Sequence, residues 1–408
     1  MMKTNFLFSS LSQFFKNFSN LIVLIFFAKL LTLNDFGIFS YALAIANIFI
    51  ILFDYGYNYK LTKEMAQDTN NFDNLMQKAF KVKIILSILG LFCFFIIYAS
   101  GVWSKEYYWT ILLLIVSSVF SSFANDINTP FRVLNKFHIE TIHYGIYSLA
   151  LICLSVFSLL YYEDLFYLAL AFLLARFLFF IVSYFNVVRL LNIKVFGNMF
   201  KKVNLFFELK EGLPYALQVG SSVFMVSIDT LILERYGTTE DIGLYQAGIK
   251  ILIAATFFIA VIQNVLLPSF SNYIKNDKMK FINQHNRYTL FCVLLGLVIA
   301  LGVFFLRNEI IYLLFGENFE KLSFYMVGFS GLIILRYFAL TYGLVLTVSG
   351  NQNKRLYSTI SGNISLIVLG FILIPRYHIW GAMYASIISH IIMYGMYFIY
   401  AKSEFVYE

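Results

Sequence analysis

Long, uninterrupted apolar runs recur along this chain from one end to the other. A helix needs about 20 mostly apolar residues to cross a bilayer, and these runs are of that length. Membrane β-strands would instead alternate polar and apolar residues over about 10 positions, a pattern that this sequence lacks. The runs therefore predict an all-α polytopic membrane protein with about twelve transmembrane helices. We place them at residues 8–31, 37–59, 82–101, 107–128, 142–161, 165–188, 213–234, 242–268, 288–307, 322–349, 356–374 and 379–401.

The residue composition excludes a soluble globular domain. Hydrophobic residues make up 60% of the 408 residues and charged residues 13%, whereas soluble domains contain about 45–50% and about 25% of these classes. A net charge of +8 would suggest nucleic acid as the partner of a soluble protein, but in a membrane protein the placement of the charges matters more, and we expect no nucleic-acid partner. Cys93, Cys153 and Cys292 each lie alone in an apolar run, which indicates packing roles and no metal or redox site.

The positions of the lysines and arginines predict the orientation of the chain. With the N-terminus in the cytoplasm, about 21 of the 30 basic residues fall in cytoplasmic segments and about six in outside segments. This asymmetry predicts an even number of spans with both termini cytoplasmic, and an uncleaved first helix. One cytoplasmic cluster is interpreted as an orientation signal that also contacts anionic lipids: Lys60, Lys63, Lys78, Lys81 and Lys83.

Two short repeats at about half the chain length predict an internal duplication. Residues 35–39 (DFGIF) resemble residues 241–245 (DIGLY), 206 positions later. The Asn-Lys pair and threonine within 135–141 recur within 353–359, 218 positions later. Repeats of this kind are typical of transporters built from two related halves. We therefore predict two pseudo-symmetric six-helix bundles around a central cavity, 1–196 and 197–408, joined by a basic cytoplasmic linker at about 189–212.

Once the basic residues assigned to the two sides of the membrane are counted, three remain, and all lie inside predicted spans: Arg176, Lys250 and Arg336. A basic residue in the middle of a membrane helix costs about 2.5–3.5 kcal/mol, so it normally faces a protein interior or a watery cavity. We predict that these cations line the central cavity and bind an anionic headgroup, since the arginine fork donates two parallel hydrogen bonds to phosphate. The alternative is that each cation is neutralised locally. For Lys250 that alternative is a salt bridge with Asp229 on the neighbouring antiparallel span.

Three other polar residues in the spans have coupling or structural roles as alternatives. Asp54, near the cytoplasmic end of the second span, is interpreted as a structural anchor rather than a proton carrier. His390 lies in the middle of the last span, where a lone histidine usually packs or forms a hydrogen bond rather than relaying protons. Asp229 is either the partner of Lys250 or an ion-coupling group.

Several stretches resemble one family. They are residues 35–45 with Asp54-Tyr55-Gly56, the stretch 229–250 (DTLILERYGTTEDIGLYQAGIK), 266–273 (LLPSFSNY) and 380–390 (WGAMYASIISH). Together they are similar to the bacterial polysaccharide transporters, the oligosaccharide-lipid flippases of O-antigen and capsule pathways. This family belongs to the multidrug/oligosaccharidyl-lipid/polysaccharide exporter superfamily.

The resemblance implies two six-helix lobes that move a polyprenyl-diphosphate-linked glycan across the bacterial inner membrane by alternating access. It implies no shared catalytic residues and no cofactor. The partners that it implies are the lipid-linked glycan, anionic lipids, and the glycan polymerase and chain-length proteins of such pathways.

The sequence leaves two other function classes open. A membrane glycan polymerase or ligase is disfavoured because the outside loops are short and carry no paired catalytic carboxylates. A drug or cation exporter of the same superfamily is disfavoured because central cations outnumber central acids. The string closest to a nucleotide-binding loop, GLYQAGIK at 243–250, lacks the required Lys-Ser/Thr ending, so we expect no nucleotide hydrolysis.

Overall fold

The computed structural model describes residues 2–68, 71–101, 107–197 and 204–405. Within these ranges the chain is almost entirely helical and contains no strand, so the predicted all-α class is confirmed. The helices are α1 (Met2–Leu30), α2 (Leu33–Asp54), α3 (Tyr57–Gln67), α4 (Phe72–Ala99), α5 (Tyr108–Ile127), α6 (Thr129–Val133), α7 (Phe137–Tyr161), α8 (Leu165–Leu191), α9 (Leu205–Tyr236), α10 (Thr239–Ala255), α11 (Phe257–Asn276), α12 (Lys278–Phe305), α13 (Arg307–Phe315), α14 (Leu322–Val348) and α15 (Gln352–Lys402).

Within the described residues, eleven helical segments are long and apolar enough to cross a membrane. The last of them covers 54 residues and contains a break at His378, where φ is 48° and ψ is −120°. The predicted runs 356–374 and 379–401 lie on either side of this break. A Cβ on Gly381 would collide with the backbone of Leu373, so the two helices are in close contact there. The polytopic architecture with about twelve spans is therefore confirmed.

The predicted eighth run, 242–268, is not one continuous helix. The helix is interrupted at Thr256, between the end of α10 and the start of α11. The Thr256 hydroxyl donates a hydrogen bond to the Leu252 carbonyl at 2.7 Å. A threonine that binds the carbonyl one turn back often bends a helix. Hydropathy measures only apolar length, so it could not locate this break.

The chain divides into two compact units. Unit 1 comprises Met1–Leu31 and Tyr41–Val223, and unit 2 comprises Thr32–Ser40 and Phe224–Glu408. Within unit 1, α5 packs on α8, and α7 packs on both α1 and α8. Within unit 2, α14 packs against α10, α11, α12 and α15. The division between the units falls inside α9.

The predicted lobes, 1–196 and 197–408, and their pseudo-symmetry remain predictions. The predicted linker at 189–212 begins in the last turn of α8 and ends in the second turn of α9. Its middle, residues 198–203, lies outside the described part of the chain.

The apolar core of unit 1 lies where α3, α4, α5, α6 and α8 meet. Among its fully buried members are Met65, Phe80, Ile127, Phe131 and Val187. Burying such side chains contributes about 1.5–3 kcal/mol each. This packing fixes the helix ends from which polar side chains reach the cavity described below.

Both copies of the first repeat lie in unit 2 and pack against each other. A Cβ on Gly37 would collide with the Thr239 carbonyl group, and one on Gly243 would lie 2.7 Å from the Leu33 carbonyl oxygen. The Thr239 hydroxyl also donates a hydrogen bond to the Asn34 side chain. The start of α2 is thus docked on the start of α10, which explains why residues 32–40 belong to unit 2.

Candidate functional site

A cavity of about 520 Å³ lies within unit 1. Its volume falls within the range of about 300–1,000 Å³ that is usual for small-molecule sites. Most of the side chains that line it are polar, and they include Lys16, Asp54, Asn58, Asn125, Arg132 and Glu140. These residues come from α1, α2, α3, α5, α6 and α7, so the cavity depends on the packing of most of the unit.

A buried ion triad lies at the wall of this cavity. Lys83 Nζ lies 2.9 Å from Asp54 Oδ1 and 2.6 Å from Asp126 Oδ2. It also donates a hydrogen bond to the Ser122 carbonyl oxygen at 3.1 Å. The side chains of Lys83 and Asp126 are completely buried, whereas that of Asp54 is 13% exposed and lines the cavity. Buried charges of this kind persist only when they are paired, so the triad fixes α4 against α2 and α5.

A second polar group is centred on Arg132. Its Nε donates to Glu140 Oε1 at 2.7 Å, its Nη1 to Asn58 Oδ1 at 3.0 Å, and its Nη2 to the Asn125 carbonyl oxygen at 3.1 Å. Asn58 Nδ2 is 3.5 Å from Asp126 Oδ1, which connects this group to the triad. Two networks from six helices, α2 to α7, therefore hold the cavity wall in a fixed arrangement.

The predicted contact of the basic cluster with anionic lipids is wrong for Lys60 and Lys83, because both side chains are buried. Lys60 Nζ lies 2.8 Å from Glu208 Oε2 and 3.1 Å from Glu211 Oε2. Lys78 Nζ lies 2.6 Å from Glu208 Oε1. These lysines anchor the start of α9 to α3 and α4.

Arg176 lies near the middle of α8 and is held by hydroxyl groups. Its Nη1 donates to Ser117 Oγ at 2.8 Å and to Ser118 Oγ at 3.2 Å, both on α5. Its guanidinium carbon lies 5.7 Å from the centre of the Phe172 ring. Its Nε is buried and has no hydrogen-bond partner among the described residues. Among the described residues, no carboxylate forms an ion pair with Arg176.

Arg336 lies near the middle of α14 in unit 2 and is half-buried. Within the described ranges, its guanidinium group forms no hydrogen bond and no ion pair. Tyr245, His390 and Tyr394 lie within electrostatic range of this group. An arginine in this position has donors available for an anion.

The salt bridge between Asp229 and Lys250, which was the alternative to a cavity role for Lys250, does not form. Asp229 is buried and accepts hydrogen bonds from the Thr230 backbone N–H at 2.8 Å and from the Tyr245 hydroxyl. Lys250 Nζ instead donates to Gln246 Oε1 at 3.3 Å. The predicted depth of Lys250 was wrong: α10 begins at Thr239, so Tyr245 lies at the depth of Asp229 and Lys250 lies more than one turn deeper.

His390 is buried in the second half of α15. Its Nδ1 donates a hydrogen bond to the Ser386 carbonyl oxygen at 2.7 Å, one turn earlier in the same helix. Its ring packs against Tyr394 with the centroids 5.5 Å apart. This is the geometry of a packing histidine.

A family model described as polysaccharide biosynthesis protein matches residues 2–274. The chain belongs to this family. The resemblance to polysaccharide transporters is thereby confirmed.

Two proteins of known name are similar in sequence to this member of the polysaccharide biosynthesis family. The capsular polysaccharide biosynthesis protein CapF of Staphylococcus aureus is 21% identical over 413 residues, which cover 99% of this chain and 100% of CapF. The Lsg locus putative protein 1 of Haemophilus influenzae is 24% identical over 125 residues, or 31% of each chain.

Solved structures share the fold of this family member. The lipid II flippase MurJ in an inward closed conformation has a TM-score of 0.75 at 17% identity, covering 98% of this chain and 89% of MurJ. An inward-facing MATE family multidrug resistance transporter of the MOP superfamily has a TM-score of 0.72 at 14% identity, covering 95% and 94%. At these identities the likeness concerns the fold alone.

In this member of the polysaccharide biosynthesis family, sequence reasoning missed most of the cavity in unit 1. Of the predicted site residues, only Asp54 lines it. Asp126 and Glu140 were not singled out, although Asp126 lies inside the predicted fourth span. The same rule that selected Arg176, a charge within an apolar run, would have found Asp126.

Proposed function

We propose that this multi-pass membrane protein is a flippase. Its cargo is a polyprenyl-diphosphate-linked oligosaccharide, an O-antigen or capsule repeat unit, which it moves from the cytoplasmic to the periplasmic leaflet by alternating access. The chain lies in the bacterial inner membrane with both termini cytoplasmic and is not an enzyme. Family membership supports this proposal, as do the names of two similar proteins, one for capsular polysaccharide biosynthesis and one for lipid II flipping.

The observation that carries the proposal is the state of Arg336. A cation in the middle of a membrane helix is costly and normally has a partner. The guanidinium of Arg336 has no such partner within the described part of the chain, and Arg336 is only half-buried. A diphosphate supplies the missing partner, since its oxygens accept two parallel hydrogen bonds from one guanidinium.

Arg176 and Lys250 are proposed as further cations for the headgroup. In the part of the chain that the structure describes, the hydrogen bonds of Arg176 go only to neutral hydroxyl groups, and that of Lys250 goes to an amide oxygen. Neutral partners leave both positive charges available to a phosphate. Asp229, Asp54 and His390 then have structural roles, because each is engaged by a protein partner.

The membrane potential provides a direction for transport. An anionic headgroup that moves outward gains about 2.3 kcal/mol per charge per 100 mV when the inside is negative. We therefore expect an inside-negative potential to speed export of the diphosphate lipid, with the glycan polymerase and chain-length proteins acting on the product.

The test is a flipping assay with the purified full chain in proteoliposomes. The probe is a fluorescent polyprenyl-diphosphate N-acetylglucosamine, and the potential is set by a potassium gradient with valinomycin. Arg336→Ala and Arg176→Ala should slow flipping at least tenfold, since one charge-assisted hydrogen bond is worth about 1.5–3 kcal/mol. Arg336→Lys should retain part of the rate because it keeps the charge.

Matched controls are Arg235→Ala, an exposed arginine at the end of α9, and Arg189→Ala, an exposed arginine on the same helix as Arg176. Both should flip at the rate of the unaltered protein. Normal flipping by Arg176→Ala and Arg336→Ala at equal protein amounts would remove both arginines from the mechanism. Uptake of tetraphenylphosphonium without any flipping would favour a cation exporter instead.

A further inference from the structure

We propose that the cavity in unit 1 is a binding site for an uncharged sugar of the lipid-linked glycan. This inference rests on the proposed flippase function. It assigns the sugar to the cavity that contains Asp54 and Arg132, apart from the arginines proposed for the diphosphate.

The charges around the cavity balance. The cations are Lys16, Lys83 and Arg132, and the carboxylates at or directly behind the wall are Asp54, Asp126 and Glu140. Lys83 and Arg132 are each in direct ion pairs, and Lys16 Nζ lies 5.9 Å from the centre of the Tyr144 ring. A site with three charges of each sign attracts neither an anion nor a cation over distance.

The carboxylates at the wall have oxygens left for a ligand. Within the described residues, both contacts to Asp54 reach Oδ1, from Lys83 at 2.9 Å and from Ser122 Oγ at 3.3 Å. The Glu140 contact with Arg132 reaches Oε1. The second oxygens of Asp54 and Glu140 can each accept a hydroxyl donor, because an ionised carboxylate has about four acceptor positions.

The cavity wall also has hydrogen-bond donors left for a ligand. Arg132 has five N–H groups, and its contacts with Glu140, Asn58 and Asn125 use three of them. The Asn125 side-chain oxygen accepts from Tyr144 at 2.6 Å, which orients its amide N–H groups away from that contact. A sugar hydroxyl both donates and accepts, so mixed donors and acceptors in one cavity suit it better than they suit a phosphate.

The lining also includes an aromatic ring. Tyr59 lines the cavity and is 56% exposed. Tyrosine offers an apolar face and a polar edge in the same side chain. The C–H face of a pyranose can pack on such a ring while its hydroxyls reach the carboxylates.

A diphosphate would be disfavoured in this cavity. Lys83 and Arg132 are already paired with carboxylates, so a diphosphate would meet the second oxygens of Asp54 and Glu140, and like charges at close range repel. A uronic acid would meet the same repulsion. The cavity is therefore selective for neutral sugars.

The test is a binding measurement with the full chain in nanodiscs. Three probes share one polyprenyl chain: the bare diphosphate, the diphosphate with N-acetylglucosamine, and the diphosphate with glucuronic acid. The neutral sugar lipid should bind about tenfold more tightly than the bare lipid, the effect of one hydrogen bond to a charged group. The glucuronic acid lipid should have no such advantage.

Ser222→Trp fills the cavity from α9, where Ser222 is exposed and its hydroxyl donates to the Gln218 carbonyl oxygen of the same helix. It should bring the ratio of the two affinities to about one. Gln218→Trp, one turn earlier on the cavity wall, is a second variant in case the first fails to fold. Leu217→Trp is the matched control, because Leu217 is 44% exposed on the same helix and does not line the cavity. Its ratio should stay that of the unaltered protein.

The outcomes separate the two proposals. Equal affinity for neutral and bare lipids, or an unchanged ratio in both tryptophan variants, would overturn the sugar site while flipping persists. Tighter binding of the glucuronic acid lipid than of the neutral one would also overturn it. If the unaltered protein neither binds nor flips any of the three lipids, the flippase function itself fails.

Discussion

Gly37 and Gly243, at equivalent positions in the two copies of the repeat, pack backbone against backbone. A Cβ on Gly243 would lie 2.7 Å from the Leu33 carbonyl oxygen and 3.4 Å from the Gly37 amide nitrogen. A Cβ on Gly37 would lie 3.1 Å from the Gly243 amide nitrogen and would collide with the Thr239 carbonyl group. Each glycine is required because the other helix occupies the space of its side chain.

We expect Gly243→Ala and Gly37→Ala to lower the free energy of unfolding by about 1–3 kcal/mol, the usual cost of overpacking. Gly331→Ala, in the middle of α14, is the control because no atom lies within 4 Å of its added Cβ. It should leave stability unchanged or raise it by up to about 1 kcal/mol through helix propensity. Thermal unfolding in detergent measures both, and equal melting temperatures for the three variants would refute the packing argument.

Lys83→Met should destabilise the protein strongly. Removing Lys83 leaves the buried Asp126 without its cation, and breaking a buried pair in this way costs about 3–5 kcal/mol. Lys63→Met, at an exposed position of α3, should change stability by less than about 0.5 kcal/mol. Combining Lys83→Met with Asp126→Leu should recover much of the loss, since apolar replacement of a whole pair is often neutral. Failure of the double variant to recover would mean that Asp126 is not the main partner of Lys83.

Glu208 and Glu211 provide a matched pair on α9. Glu208 is buried and accepts from Lys60, Lys78 and the Tyr57 hydroxyl, whereas the side chain of Glu211 is 43% exposed and meets Lys60 alone. Glu208→Gln should lower the unfolding free energy by about 1.5–3 kcal/mol. Glu211→Gln should lower it by at most about 1 kcal/mol because exposed ion pairs contribute little. Denaturation in detergent at low and high salt gives the comparison, and equal losses would contradict the assigned burial.

A double-mutant cycle tests the contact between Asp229 and Tyr245. The variants are Asp229→Asn, Tyr245→Phe and the combination. We expect a coupling energy of about 1.5–3 kcal/mol, the range for a hydrogen bond to a charged group. Lys250→Met combined with Asp229→Asn is the control and should be additive within about 0.5 kcal/mol, because the two side chains do not meet. Strong coupling in the control would instead indicate a salt bridge between Asp229 and Lys250.

How much of the fold the sequence predicts depends on the range of the interaction. The helical spans follow from local hydropathy, and the break at His378 falls between two runs that the sequence separates. The adjacency of α9 and α10 also follows from a short turn, and the Tyr245–Asp229 and Gln246–Thr230 hydrogen bonds bear it out.

Which side chains meet is a different matter, because it depends on the rotation of each helix about its axis. It also depends on where each helix begins: the apolar run was taken to start at residue 242, which put Lys250 at the depth of Asp229, whereas α10 begins at Thr239 and brings Tyr245 to that depth. Lys83 was assigned to a loop because it lies at the edge of an apolar run. Its partners Asp54 and Asp126 lie on other helices, and only the packing of the unit brings them to Lys83. Arg176 and Arg336 were placed correctly near the middle of their helices, since position in a span is a local property.

The three residues of the ion triad are also synthesised one after another. A chain made from its N-terminus presents Asp54 before Lys83, and Asp126 only later. Lys83 thus enters the bilayer with one counterion already present, and the second arrives with α5. We therefore expect Asp54 to lower the cost of inserting α4 with its buried cation, so that Asp54→Asn reduces the yield of newly made protein.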